Sequence, residues 1–182
     1  MPHSGCADAG LGDTGDMDES PALLPADQGI VEDGELRFER TYDVAVAEVW
    51  SALTEKERTG AWAFATTFEP HAGGTLTFDF GEAGVATGEV IDWHEPSLLE
   101  YAWDGPGGRW HVRAEVEEAG DSGGAVLTFA HLSPDPHSAE YAAGWHWHLD
   151  RLGQHLAGET PADVPEDEHF HELLRLYSQA GG

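Results

Sequence analysis

Between Thr66 and His131 the chain repeats one pattern six times: a short run in which apolar and polar residues alternate, then a turn rich in glycine or proline. Alternation with a period of two marks a strand with one buried face, and short turns join antiparallel neighbours. The runs cover 66–70, 75–80, 85–93, 98–103, 110–117 and 125–131, with turns at 71–74, 81–84, 94–97, 104–108 and 120–124. Upstream, Leu36, Phe38 and Tyr42 alternate with Arg37, Glu39 and Thr41, which adds a first strand. The period then changes, because Val46, Val49, Trp50 and Leu53 recur at three- and four-residue steps, and 44–53 reads as a short helix with a second turn or helix over 54–62. Downstream, 138–156 places Tyr141, Trp145, Leu149, Leu152 and Leu156 on one face of about five helical turns, with Gly158 as the stop. An aromatic helix that follows such a sheet must cover the sheet's apolar face, since neither layer can leave that side in water. The expected fold is therefore α+β: a seven-stranded antiparallel sheet whose open face is covered by a long C-terminal helix, with two short helices after the first strand.

Charge divides the chain into three. Residues 1–33 hold eight carboxylates and no Lys, Arg, Phe, Trp or Tyr, too little apolar surface to offset the entropy of ordering, and read as a disordered acidic tail. Residues 34–157 form the domain and carry 21 carboxylates against seven basic side chains, a net −14. Residues 158–182 are an acidic extension; a Pro-containing linker leads to a short helix over 166–179, with Phe170, Leu173, Leu174 and Tyr177 on one side. The whole chain stands at −27, which excludes unaided binding to nucleic-acid phosphates. Cys6 is the single cysteine and can form no internal disulfide. No apolar run approaches the roughly 20 residues that span a bilayer, and the amino terminus lacks a leader pattern, so a cytoplasmic protein that does not enter membranes is expected. A homodimer is compatible with the sequence.

Several local signatures together resemble a known family. Leu36-Arg37-Phe38-Glu39-Arg40-Thr41-Tyr42, Val49-Trp50-Ser51-Ala52-Leu53-Thr54, Gly73-Gly74-Thr75-Leu76-Thr77-Phe78, Gly88-Glu89-Val90-Ile91-Asp92-Trp93 and Gly144-Trp145-His146-Trp147-His148-Leu149-Asp150-Arg151-Leu152 resemble bacterial members of the SRPBCC (START-like) superfamily. Within it they are most similar to the family named for the activator of the heat-shock chaperone ATPase, over residues 35–157. The resemblance implies a helix-grip fold whose cavity, between sheet and C-terminal helix, holds a hydrophobic small molecule in many relatives.

The chemistry-bearing residues favour binding over catalysis. His146 and His148, like His169 and His171, point about 200 degrees apart on a helix, and His148 and His155 lie about 10 Å apart along it, so none of these pairs chelates one metal ion. A set drawn from His111, His131 and His148 stays open, but no metal site and no cofactor is expected. There is no Gly-x-Ser-x-Gly elbow, and the Gly105–Gly108 turn lies between strands rather than before a helix, so neither acyl-transfer nor phosphate-binding machinery is indicated. What remains is an aromatic wall: Phe78, Phe80, Trp93, Tyr101, Trp103 and Phe129 from strands with Tyr141 and Trp145 from the helix, and His131 and His148 as polar groups beside it. The expected function is non-catalytic binding of a hydrophobic small molecule, neutral or cationic. A cyclase, dehydratase or hydrolase using His131, His148 and Tyr141 as acid and base is the alternative, and a chaperone cofactor the second alternative.

Overall fold

The computed structural model describes residues 27–120, 123–161 and 168–180. One antiparallel sheet of eight strands runs in the order β1-β2-β8-β7-β6-β5-β4-β3. Its strands are β1 (Ile30–Glu32), β2 (Glu35–Tyr42), β3 (Ala65–Phe68), β4 (Thr75–Asp79), β5 (Val85–His94), β6 (Leu98–Gly105), β7 (Gly108–Glu118) and β8 (Ala125–Ser133). Helices α1 (Val46–Thr54) and α2 (Lys56–Trp62) bridge β2 to β3; α3 (Ala139–Leu156) and α4 (Glu168–Ala180) follow β8. This is the helix-grip arrangement that the family resemblance implies. All seven expected strands form, and the first long strand pairs with the last, from Leu36 opposite His131 to Tyr42 opposite Ala125.

The core follows from the pleat. Leu36 and Phe38 on β2, Leu76 and Phe78 on β4, Val112, Ala114 and Val116 on β7, and Leu127 and Phe129 on β8 are buried at every second position. Leu149 and Leu152 of α3 join the β2, β7 and β8 residues in one cluster, while Leu76 and Phe78 form a second with Val90 of β5. Ser138 caps α3, its hydroxyl accepting from the Tyr141 backbone N–H at 3.3 Å, which satisfies one of the donors that a helix start leaves free.

Two expectations need correcting. The sheet has eight strands, not seven, because Ile30–Glu32, part of the stretch read as a tail, forms an edge strand on β2. The turn that joins them is Asp33-Gly34, both at positive φ (52° and 82°), the backbone that a two-residue hairpin matching strand twist requires. The remainder of the expected tail, residues 1–26, lies outside the described residues. The second correction concerns α3, which the apolar spacing presents as one-faced. It is buried on two sides: Ala143 and Trp147, roughly 160–200 degrees around the helix from Trp145, belong to the same buried cluster as Leu173 and Tyr177 of α4. The C-terminal extension thus supplies a packing layer on the domain.

A polar knot holds that layer. The Tyr177 hydroxyl accepts from the Gly29 N–H at 2.7 Å and lies 2.8 Å from His146 Nδ1, while His169 Nε2 lies 2.8 Å from Asp150 Oδ2. Gly29 also has no room for a side chain, since a Cβ there would meet the Phe38 ring at 2.5 Å. Phe38 is 1 % exposed and cannot move aside. Gly29→Ala is therefore expected to cost about 1–3 kcal/mol through overpacking, read as a lower urea midpoint; an unchanged midpoint would mean that β1 contributes no stability.

Candidate functional site

The glycine-rich β6–β7 hairpin, the first half of α3 and two phenylalanines from loops converge on one cleft. Gly107 and Gly108 take positive φ (85° and 132°), and Gly107 must be glycine, because a Cβ would lie 2.6 Å from the Tyr141 hydroxyl. That close approach brings Trp103, Pro106 and Trp110 together with Tyr141, Gly144, Trp145 and His148 of α3 around one space, whose lining Glu140, Phe64 and Phe80 complete. The cleft encloses about 380 Å³. Deeper in, a cavity of about 50 Å³ is lined by Phe78, Leu99, Tyr101, Ala114 and Phe129 among others, room for a water or two and no ligand. Trp145, Trp103, Phe64 and His148 line both spaces, so these rings form the partition between a filled core and an open mouth.

The rings stand at steep angles to one another. Trp110 and Tyr141 lie 4.7 Å apart at 58°, Trp110 and Trp145 6.3 Å apart at 67°, and Phe64 meets Phe80 edge-on at 5.1 Å. Trp103 stacks on Trp110 at 5.4 Å. Phe64 and Phe80 are 46 % and 38 % exposed, an apolar rim that water covers in the absence of an occupant.

The two histidines of the expected wall have different fates. His131 is 0 % exposed; its Nε2 lies 2.6 Å from the Pro134 carbonyl and its Nδ1 accepts from the Trp145 indole N–H at 3.2 Å. Both ring nitrogens are occupied, and His131 holds Trp145 from behind without lining either space. His148 Nδ1 lies 3.2 Å from the Trp62 carbonyl, which can only accept, so Nδ1 carries the hydrogen and Nε2 is left as an acceptor. Burial, helped by the Arg151 charge and opposed by that carbonyl, pushes its pKa down to about 4.

Of the expected residues, Phe80, Trp103, Tyr141, Trp145 and His148 line the cleft, while Phe78, Tyr101 and Phe129 line the small cavity behind it. Trp93 does not belong to this wall. It faces the same side of the sheet but packs on Trp50 and Phe68, at 5.2 and 5.8 Å. Its strand pairs Gly88 with Trp103, and Trp93 lies five residues farther on, about 16 Å along the strand. Trp110 and Phe64 are the residues missed. Trp110 is in phase with buried Val112 and was legible; Phe64 lies between α2 and β3, outside any periodic pattern. Among the described residues no three His, Cys, Asp or Glu side chains are placed to hold a metal ion, and no helix is long and apolar enough to cross a membrane.

A pH dependence follows from the buried imidazoles. Burial lowers the pKa of His131, His146 and His148, the last to about 4 from an ordinary 6.5. The unfolded chain takes up these protons near pH 6.5 whereas the folded one resists, so stability is fully present above 6.5 and is lost as the pH falls towards 4. His148 alone accounts for roughly 3 kcal/mol at about 1.4 kcal/mol per pKa unit. Urea midpoints taken from pH 7 to pH 4.5 should fall, and His148→Asn should flatten that slope by about one proton; a slope unchanged by the substitution would contradict the buried neutral imidazole.

The family described as Activator of Hsp90 ATPase homolog 1-like protein matches residues 43–157. The chain belongs to that family. Every residue lining the cleft falls inside the matched span, whereas β1, β2 and α4 lie outside it. No curated protein matches the chain. Among solved structures, the fold is similar to CalU16 from Micromonospora echinospora (TM-score 0.66, 23 % identity, covering 81 % of this chain and 88 % of that one). It is also similar to the conserved protein of unknown function EF2215 from Enterococcus faecalis (0.63, 22 %, 85 % and 89 %). A third relative is DynU16, a putative protein in the dynemicin biosynthetic locus (0.60, 24 %, 71 % and 49 %). At these identities the likeness shows that this chain and these relatives share a fold.

Proposed function

We propose that the protein binds an apolar small molecule, without transforming it, in the cleft between the β6–β7 hairpin and α3. The observation that carries this reading is the cleft itself: about 380 Å³ walled almost wholly by aromatic rings and open at the surface, in front of a core packed nearly full. Concave apolar sites of this size with one or two oriented polar groups are what small ligands occupy. His148 Nε2 supplies an acceptor for a hydroxyl or amide N–H of the ligand. Acid–base chemistry by a histidine pair finds little support, because both nitrogens of His131 are already bonded beneath Trp145. DynU16, a putative protein in the dynemicin biosynthetic locus, accords with a small-molecule ligand.

Gly144 provides the test. It lines the cleft, and a Cβ added there meets nothing within 4 Å. Gly144→Leu should fill the cleft while raising helix propensity by up to about 1 kcal/mol. Titration with Nile red, a neutral dye whose emission rises in apolar surroundings, should saturate with the wild type, and Gly144→Leu should weaken binding at least tenfold without lowering the melting temperature. Equal dye affinity in both proteins would place the binding elsewhere and refute the cleft.

A further inference from the structure

The cleft carries an electrostatic instruction as well as an apolar one. Among the described residues Glu140 is the sole charged one along its lining, and no Lys or Arg lines it. Arg109, on the adjoining hairpin, is committed to Glu89 at 3.3 Å and Asp104 at 3.9 Å. A glutamate in the first turn of a helix is explained by the helix N-terminus alone, so Glu140 by itself signifies little. The rings take the matter further. Trp110 stands at 58° to Tyr141 and 67° to Trp145, and all three rings line the cleft, so their faces lie at differing angles around one space. Such faces are the negative ends of ring quadrupoles, and they attract a cation held within about 6 Å.

We propose that the ligand carries a cationic amine, substituted or quaternary, seated among the Trp110, Tyr141 and Trp145 rings with Glu140 as its counter-charge. The inference rests on the cleft being the ligand site and adds the ligand's chemical class. His148, neutral at physiological pH, presents no repelling charge. The field of the domain has the same sign as Glu140, at a net −14 over residues 34–157. It gathers cations at the mouth and turns anions away.

The experiment compares benzyltrimethylammonium with neopentylbenzene, its uncharged carbon isostere, by following the indole NMR signals of Trp110 and Trp145 in the full-length protein. The isostere is the more hydrophobic of the two, so simple burial favours it and works against the proposal. The expected result is a cation affinity about tenfold the isostere's at low salt, narrowing as salt screens the charges. Glu140→Gln should remove most of that preference while leaving the isostere's affinity unchanged. An isostere that binds as tightly as the cation overturns the cationic inference and leaves the apolar cleft standing. A preference that survives Glu140→Gln intact overturns the role of Glu140. If neither compound saturates, the cleft reading falls, and this inference falls with it.

Discussion

Trp145→Ala should lower the stability of the domain by about 3 kcal/mol, near the lower end for removing a large aromatic because the ring is only partly buried. The side chain has three roles. It lies 4.5 Å from the Phe129 ring, it donates its indole hydrogen to His131, and it separates the small cavity from the cleft. Its loss leaves His131 Nδ1 buried without its donor, a cost beyond the lost contact. It also joins the two spaces, so binding should shift toward bulkier apolar ligands as stability falls. Urea denaturation and a dye titration on the same variant measure both effects. A silent substitution would mean that α3 is rotated from the orientation described.

Removing residues 162–182 should have the largest effect. Leu173 and Tyr177 are buried at 5 % and 6 % exposure, and Trp147, at 7 %, belongs to the cluster they complete. Losing two buried side chains and exposing a third, with the Tyr177 bonds to Gly29 and His146 broken, costs on the order of 5 kcal/mol. That is comparable to the whole stability of many domains, and a chain ending at residue 161 should unfold with little cooperativity near room temperature. The family match stops at residue 157, so α4 lies outside the matched span. A truncated chain that melts at the full-length temperature would show that the helix rests on the domain without supporting it.

Local pattern and tertiary context divide what could be read in advance. The strands from β2 to β8 were legible because each buries one face, and burial on one face writes a period of two into the residues. The length of α3 was legible for the same reason at a period of 3.6, but its burial was not. A helix held between a sheet and another helix needs apolar residues on both sides, and Trp147 opposite Trp145 looks like scatter until α4 is in place. The β1 strand has only Ile30, Val31 and Glu32, and its anchor is the Tyr177 hydroxyl beyond the far end of the domain. The Asp33-Gly34 turn before Leu36 was a readable local signal that the acidic composition of residues 1–33 obscured. At the site, inward-facing aromatics were identified by parity, which places a residue on a face but not at an end of the sheet. Trp93 and Trp103 therefore looked equivalent, and the register separates them.

The central claim is that the cleft beside Trp145 takes the ligand, and the seven tryptophans make it directly observable. Each indole N–H gives one signal in a nitrogen–proton correlation spectrum, assignable by single Trp→Phe substitutions. On titration with a neutral aromatic probe, the signals of Trp103, Trp110 and Trp145 should shift together along one saturating curve, while those of Trp50 and Trp93, packed against each other outside the cleft, stay in place. Shifts confined to Trp50 and Trp93 would put the ligand in a different groove, lined by Trp50 of α1 with Trp93 and Pro96, and no saturable shift at any of these indoles would contradict the binding function itself.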